Sequence, residues 1–167
     1  MRTDYVTGAR VDVELELDVP AQRLWELITD VTRIGEWSPE CVHADWLDTP
    51  GVGARFEARN EFPHGFVGHV ICEVTEMTAP TRFAWTVGGK DVIDDDDHKT
   101  ESLWYYELVP QGSKVLVRHG FEHGPGMTGL REHVEANPSR GTDILEGRLR
   151  ELRENMTTTL RAMAASA

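Results

Sequence analysis

The sequence has little cysteine and no long apolar run. Cys41 and Cys72 are the only two cysteines among 167 residues, which argues against a disulfide framework and indicates a reducing compartment. No apolar stretch near the N-terminus resembles a signal peptide, and none is long enough to span a bilayer. We therefore expect a cytoplasmic protein that does not insert into a membrane.

Positively charged residues are outnumbered as well. The chain has 17 Lys and Arg against 29 Asp and Glu, which gives a formal net charge of -12. Nucleic acids and anionic membranes are bound chiefly through Lys and Arg, so this charge argues against either of them as a partner. The length suits one domain with a sizeable core, and the sequence contains no internal repeat or low-complexity linker. Residues 1–167 are therefore interpreted as a single domain, and its state as monomer or homodimer is left open.

Several motifs of cofactor and metal chemistry are missing. The absence of G-x-G-x-x-G after a strand, of a P-loop and of G-x-S-x-G argues against dinucleotide binding, phosphoryl transfer by a P-loop and the usual hydrolase elbow. His119, His123 and His133 lack a zinc spacing, and the four aspartates at 94–97 lack the alternating ligands and glycine of a calcium loop. We expect no metal and no cofactor, and we interpret residues 90–99 as a solvated hairpin loop.

The N-terminal quarter carries the clearest pattern in the chain. Apolar and acidic residues alternate strictly over residues 11–18, which is typical of a half-buried strand. Pro20 ends the strand, its fixed φ suits the first turn of a helix, and Asp18 is expected to cap that helix. A second short helical turn should end at the Trp37-Ser38-Pro39 break. The apolar residues at helical spacing are Leu24, Trp25, Leu27, Ile28 and Val31.

The remainder reads as a run of strands followed by helices. Strands are expected over residues 41–47, 54–60, 66–77, 82–87, 101–109 and 114–122, separated by Gly- and Pro-containing turns. Thr128 should cap a short helix that stops before Pro138. A longer helix is predicted from Asp143. Its apolar stripe, with residues every three or four positions, is Leu145, Leu149, Leu152, Met156, Leu160 and Met163.

The stretch at residues 19–39, VPAQRLWELITDVTRIGEWSP, carries a family resemblance. Its Trp25, the Ile-Thr-Asp at 28–30 and the closing Trp37 and Pro39 resemble the opening of polyketide cyclase/dehydrase-like members of the helix-grip (START-like) superfamily. That superfamily also holds lipid-transfer and pollen-allergen-like domains. The resemblance implies an α+β fold in which about seven antiparallel strands curve around a long C-terminal helix, with two short helices after the first strand and a hydrophobic cavity inside.

The resemblance also provides a test of chemistry. Aromatase/cyclases of the superfamily commonly carry a cavity arginine early in the strand that begins here near Gly65, and the approximate alignment puts Phe66 at that position. Arg55 and Arg59, the nearest basic residues, have the outward parity. The cation expected to stabilise an enolate is therefore missing. Trp85, Trp104 and Tyr106 nevertheless fit the aromatic part of the family pattern.

Strand parity predicts which polar side chains face the interior. Val115, Val117 and Phe121 fix the inward face of the last strand, so His119 should point inward too. The same count on other strands gives an interior of aromatic and hydrogen-bonding groups, which is the composition of a small-molecule pocket. The predicted ligand-binding residues are Phe56, Asn60, Cys72, Trp85, Ser102, Trp104, Tyr106, His119, Leu149 and Met156.

Three functions fit this interior. The first is binding of a small hydrophobic ligand, aromatic or polyketide- or lipid-like. The second is a polyketide cyclase/dehydratase-type enzyme in which His119, kept neutral by burial, and Tyr106 transfer a proton. The third is a protein-interaction module with a closed cavity. A plain structural interpretation also stays open, in which His119 is a core histidine satisfied by Tyr106, while Cys41 and Cys72 are small buried hydrophobes.

Overall fold

The structure is a computed structural model that describes residues 4–63, 65–89 and 100–167. In those ranges the helices are α1 (Ala21–Thr29), α2 (Gly129–Ala136) and α3 (Gly141–Ser166), with 3-10 turns at Val31–Glu36 and Pro138–Arg140. The hairpin loop predicted at residues 90–99, with its four aspartates, lies outside the described residues. The strands are β1 (Arg10–Leu17), β2 (Cys41–Trp46), β3 (Arg55–Glu61), β4 (Val67–Thr78), β5 (Arg82–Gly89), β6 (Ser102–Gln111) and β7 (Lys114–His123).

The strands form one antiparallel sheet in the order β1-β7-β6-β5-β4-β3-β2. Strands β2 to β7 each pair with their neighbours in sequence, and β1 pairs with β7, so β1 and β2 are the two edges. Inward-facing residues alternate along each strand and join the helices in one hydrophobic core. The predicted α+β architecture, a curved sheet with a long C-terminal helix, is confirmed.

Helix α3 presents an apolar side to the core and a charged side to solvent. Leu152, Met156, Leu160 and Met163 are buried, whereas Leu149 is only partly covered. The predicted stripe is therefore the packed side of the helix. Among the described residues, no helix is both long enough and apolar enough to cross a membrane.

The helix ends differ from two of the expectations. Asp18 does not cap α1, because the N-cap is Pro20, whose carbonyl accepts hydrogen bonds from the backbone N–H groups of Arg23 and Leu24. Helix α3 begins at Gly141 rather than at Asp143, since the 3-10 turn Pro138–Arg140 leads directly into it. The Thr128 cap of α2 is confirmed, because its hydroxyl oxygen accepts from the N–H of Arg131 at 3.1 Å.

The outer, convex face of the sheet carries a ladder of alternating charges. Glu14 on β1 pairs with Arg118 on β7 at 2.8 Å. Arg82 on β5 bridges two carboxylates, Glu107 on β6 at 3.1 Å and Glu76 on β4 at 2.7 Å. Because a third or more of each side chain is exposed, each pair is worth about 0–1 kcal/mol.

An aromatic ring covers a glycine on the same face. Tyr105 of β6 lies against Gly120 of β7 so closely that a Cβ at Gly120 would stand 1.9 Å from the ring. The tyrosine reaches across β7 to β1, where its hydroxyl donates to Asp12 Oδ1 at 2.6 Å. Burial and the bond to Asp12 raise the pKa of Tyr105 to about 12. Tyr105 therefore links three strands through its ring and its hydroxyl.

A buried arginine, which the sequence analysis did not anticipate, fixes the segment after β7. Arg131 of α2 is 7% exposed, and its guanidinium donates to four groups on two segments: Asp4, Thr7, the carbonyl of Gly124 and the carbonyl of Gly126. Beside it, His123 donates from Nδ1 to the Gly124 carbonyl at 2.6 Å and accepts from the Thr128 hydroxyl at 2.7 Å. Both nitrogens of His123 are thus occupied, which indicates a structural role.

Candidate ligand-binding site

Aromatic side chains form a continuous wall on the concave face of the sheet. Trp85 of β5 and Trp104 of β6 are register partners whose rings stack with centroids 6.2 Å apart and planes 4° from parallel. Phe56 of β3 contacts Trp85 at 6.2 Å, and Phe121 of β7 contacts Trp104 at 5.0 Å. Such tilted and offset ring pairs are favourable arrangements for aromatic side chains. The wall therefore extends from β3 to β7 without a gap.

Part of this wall is uncovered. Trp85, Trp104, Val87 and Val70 face inward from the central strands, yet each keeps part of its surface exposed, as does Leu149 on α3. By contrast, the inward residues of β7 are covered: Val115, Val117, His119 and Phe121 are at most 7% exposed. Since protein interiors normally pack at close to crystal density, helix α3 does not fill the concave face over the central strands.

His119 lies at the covered end of the wall, stacked on Tyr106. Their ring centroids are 3.9 Å apart and their planes differ by 4°. Nδ1 of His119 lies 2.8 Å from the backbone carbonyl of Tyr105, and because a carbonyl can only accept, this nitrogen carries the proton. Burial lowers the pKa of His119 to about 4, against a weaker opposing effect of that hydrogen bond. At neutral pH the ring is therefore neutral, with a lone pair on Nε2.

Two polar atoms at this end lack protein partners. Among the described residues, neither His119 Nε2 nor the hydroxyl of Tyr106 makes a hydrogen bond. Neither atom is fully enclosed by the protein. Among the described residues, Glu101 Oε2 is the only side-chain nitrogen or oxygen that is both fully enclosed and without a hydrogen-bond partner. Both atoms therefore keep some surface that no protein atom covers. Burial also raises the pKa of Tyr106, which keeps its hydroxyl protonated and able to donate.

A second polar group lies two positions before Trp104 on β6. Ser102, the first residue of β6, is 7% exposed, and its hydroxyl oxygen accepts a hydrogen bond from Trp104 Nε1 at 3.0 Å. Its neighbour Glu101 has a raised pKa because its carboxyl is removed from solvent. The sequence analysis placed Glu101 in the strand predicted over residues 101–109 but not among the site residues, because the inward positions it counted begin at Ser102; in the structure β6 begins at Ser102.

The two cysteines have no features of nucleophiles. Burial raises the pKa of Cys41 to about 11 and raises that of Cys72 further, so both thiols stay protonated at neutral pH. Cys72 is 2% exposed and faces inward between Val70 and Val74, in agreement with the predicted parity. Both side chains act here as small apolar groups.

An ion-pair cluster joins α3 to Glu40, the residue before β2. Arg148 forms a two-pronged contact with the Glu40 carboxylate, which also accepts from Asn155 Nδ2 at 2.8 Å. Arg148 also pairs with Glu151 and lies over the ring of Phe62 at 5.4 Å. This cluster was not predicted, although Arg148 stands three residues after Leu145 and four before Leu152, on the apolar side of the helix.

The predicted site residues do not all belong to one surface. Met156 is buried in the packed core, and Asn60 is a half-buried residue opposite Cys41 near the end of β3. Leu149 lies on the half-covered part of α3. The residues that share the concave face by strand register are Phe56, Asn60, Cys72, Trp85, Ser102, Trp104, Tyr106 and His119.

The three positions considered for the cavity arginine of aromatase/cyclases do not supply a cation to this face. Phe66 precedes β4 and is 53% exposed. Arg55 pairs with Asp48, and Arg59 pairs with Glu61. Both arginines therefore have surface partners, as the outward parity predicts. Within residues 4–63, 65–89 and 100–167, no group of three or more His, Cys, Asp or Glu side chains is placed to hold a metal ion.

Comparisons with known proteins agree with this geometry. Residues 8–157 match the family described as polyketide cyclase / dehydrase and lipid transport. The polyketide cyclase-like protein Cgl2372 from Corynebacterium glutamicum is 24% identical with a TM-score of 0.65, and 95% of this chain aligns with 90% of that one. The Zhui aromatase/cyclase from Streptomyces sp. R1128 is 11% identical with a TM-score of 0.67, over 95% of this chain and 92% of that chain.

The same architecture occurs in a larger protein. The di-domain aromatase/cyclase BexL of the BE-7585A biosynthetic pathway is 11% identical with a TM-score of 0.69, and the match covers 97% of this chain and 50% of BexL. At these identities the solved structures establish the shared fold. A search of curated protein sequences found no match.

Proposed function

Because this chain belongs to the polyketide cyclase/dehydrase and lipid transport family, we propose that it binds a small hydrophobic, aromatic ligand between the concave face and α3. The observation that carries the proposal is the uncovered part of the aromatic wall around Trp85 and Trp104. Stacked indoles offer a flat apolar surface, which suits a planar ligand.

The polar atoms at the covered end give this ligand an orientation. His119 Nε2 is an acceptor and the Tyr106 hydroxyl is a donor, and neither has a partner among the described residues. A buried polar group without a hydrogen bond costs about 1–3 kcal/mol. A ligand hydroxyl would satisfy His119, so we expect a phenol or similar group at this end.

An enzyme of the cyclase or dehydratase type is the second candidate. It is favoured by the contact between a neutral histidine and a protonated tyrosine, which provides one proton acceptor beside one donor. The structural relatives named as aromatase/cyclases support the same idea by analogy of fold. Two observations argue against the enzyme. His119, with a pKa of about 4, is a weak base, and Phe66 stands where aromatase/cyclases commonly carry the arginine that would stabilise an enolate.

The interaction module with a closed cavity is the third candidate, and the partly uncovered tryptophans argue against it. Cytoplasmic location, the absence of nucleic-acid partners and the choice between monomer and homodimer stay predictions from the sequence. A lipid-like ligand stays an alternative to an aromatic one. Native mass spectrometry of the protein purified from its own host tests the ligand class directly, because a retained small molecule can be identified by its mass.

The variant His119→Phe tests the site itself. It keeps a planar ring that can stack on Tyr106 and removes the acceptor nitrogen, so affinity for 2-naphthol should fall about five-fold to 150-fold. His69→Phe, on an exposed position of β4, is the matched control and should bind like the unaltered protein. Unchanged binding by a folded His119→Phe protein would remove His119 from the site. Loss of turnover with unchanged affinity would favour the enzyme instead.

A further inference from the structure

Tyr106 and His119 are register partners on β6 and β7, and their side chains stack on the concave face. Nδ1 of His119 lies 2.8 Å from the backbone carbonyl of Tyr105, so Nε2, on the far edge of the ring, faces away from the strand. The tyrosine hydroxyl is the tip of its side chain and also lies away from the backbone. Both polar atoms therefore face the interior from neighbouring edges of the stack.

The stack prevents these two atoms from bonding to each other. The lone pair of Nε2 lies in the plane of the imidazole ring, whereas the tyrosine ring lies beside that plane and only 4° from parallel to it. A hydroxyl beside the face of a ring is badly placed to donate to an in-plane lone pair. Among the described residues, no hydrogen bond joins the two side chains and neither atom has another partner. An acceptor and a donor thus lie side by side, each without a protein partner.

A single hydroxyl group can serve both atoms. Its oxygen accepts from the Tyr106 hydroxyl while its hydrogen is donated to His119 Nε2. Since each such bond is about 3 Å long, one oxygen can join atoms up to about 6 Å apart, which parallel rings with centroids 3.9 Å apart allow. The accessible surface is small, because Tyr106 is 3% exposed and His119 is 4% exposed. One small group therefore suits this position better than two.

We propose that one free hydroxyl of the ligand bridges His119 and Tyr106, and that the pair selects hydroxylated aromatic ligands over the corresponding ethers and hydrocarbons. This inference rests on the proposed function and makes Tyr106 a specificity-determining residue within it. An ether or carbonyl oxygen accepts from Tyr106 but has no hydrogen for Nε2, and a methyl group serves neither atom. A site built to hydrogen-bond a hydroxyl rejects an analogue that leaves its buried polar groups unpaired.

Three naphthalenes with the same ring system test the bridge. The compounds are 2-naphthol, 2-methoxynaphthalene, which keeps the oxygen without its hydrogen, and 2-methylnaphthalene, in which a methyl group replaces the hydroxyl. Calorimetry measures their affinities for the unaltered protein, for Tyr106→Phe and for His119→Phe. Tyr5→Phe, which removes a hydroxyl that lies beside Gly141 at the start of α3, is the matched control.

The affinity ratio of 2-naphthol to 2-methylnaphthalene should fall about five-fold to 150-fold in Tyr106→Phe and in His119→Phe, and stay unchanged in Tyr5→Phe. The ratio of 2-methoxynaphthalene to 2-methylnaphthalene should fall in Tyr106→Phe only. Because 2-naphthol has a single oxygen, losses at both positions identify one bridging hydroxyl. An unchanged 2-naphthol ratio in either folded variant, or an ether ratio that falls in both, would overturn the bridge. Failure of the unaltered protein to bind any of the three compounds would overturn the proposed function, and this inference with it.

Proton NMR of the complex gives a readout that needs no variant. The hydroxyl proton of bound 2-naphthol should exchange slowly with water and show nuclear Overhauser contacts to ring protons of both His119 and Tyr106. Contacts to one ring alone, or a hydroxyl proton that exchanges as fast as in free 2-naphthol, would contradict the proposal.

Discussion

Tyr105 and Tyr106 are neighbours in sequence that point to opposite faces of the same sheet. Tyr105 lies on the convex face, where its hydroxyl donates to Asp12 at 2.6 Å and its ring covers Gly120. Tyr106 lies on the concave face, stacked on His119, and its hydroxyl has no partner among the described residues. The half-buried Tyr105 therefore has a partner for its hydroxyl within the protein, and the buried Tyr106 does not.

This contrast holds for the two faces around them. On the convex face, Glu14, Arg118, Glu107 and Arg82 pair with one another across the strands. On the concave face, His119 Nε2 and the Tyr106 hydroxyl have no protein partner among the described residues. Selection for stability alone would favour pairing them or replacing them with apolar groups, so the unpaired atoms point to a ligand.

The largest difference between the faces should appear in folding stability. Phe83 on β5 is 1% exposed and packs against Trp25 and Trp85, so Phe83→Ala should lower the free energy of unfolding by about 3–5 kcal/mol. Arg82→Ala, the neighbouring convex position, should lower it by about 1 kcal/mol because its ion pairs are exposed. Chemical denaturation measures both. Equal losses would mean that the charge ladder stabilises the sheet as much as the core does.

A pH effect of the concave face comes next. His119 has a pKa of about 4 when folded and an ordinary value of 6.5, so between these pH values the unfolded chain takes up a proton that the folded protein does not. The free energy of unfolding should therefore fall as the pH drops from about 6.5 to 4, by roughly 3 kcal/mol. His119→Phe lacks this contribution, so the difference between the two denaturation profiles isolates it. Parallel profiles would mean that His119 titrates normally.

A smaller effect should come from the glycine under Tyr105. Gly120→Ala places a Cβ against the Tyr105 ring and should cost about 1–3 kcal/mol of stability. In a Tyr105→Ala background the ring is gone, so the same substitution should cost little. Thermal and urea denaturation of the four proteins in this double-mutant cycle measure the coupling. Additive losses would show that the ring does not cover Gly120.

The smallest effect separates the two tyrosines themselves. Tyr105→Phe loses the hydrogen bond to Asp12 and should cost about 1 kcal/mol, whereas Tyr106→Phe removes a hydroxyl without a described partner and should leave the stability unchanged or raise it. The free protein is compared by urea denaturation. A loss for Tyr106→Phe as large as that for Tyr105→Phe would show that the concave hydroxyl is already paired without a ligand.

The sequence predicted the fold well because its periodic patterns are strong. Alternation fixed the inward face of β7 and therefore the position of His119, and the apolar stripe identified the packed side of α3. The Asp18 cap was wrong, because α1 begins at Ala21 with Pro20 as its N-cap, which leaves Asp18 two residues before the cap position. Boundaries of one or two residues, as at Gly141, are set by such local geometry.

The candidate site was less predictable for a different reason. Parity identifies the face of a side chain but not the atoms that it contacts. Tyr106 was named as a partner that could satisfy His119, but its ring stacks on His119 and the hydrogen bond goes to the Tyr105 carbonyl. Glu101 precedes β6, and the removal of its carboxyl from solvent depends on packing that alternation along the strand does not describe. The Arg148–Glu40 contact joins positions 108 apart in sequence, and no local pattern indicates it.

The central claim is that the concave face leaves His119 Nε2 free for a ligand, and nitrogen NMR of labelled His119 tests it most directly. We expect a neutral ring at pH 7 with the proton on Nδ1, and an Nε2 resonance that moves on addition of 2-naphthol while Tyr105 and Asp12 signals stay in place. A protonated Nε2 in the free protein, or an Nε2 resonance unchanged by saturating 2-naphthol, would contradict the account.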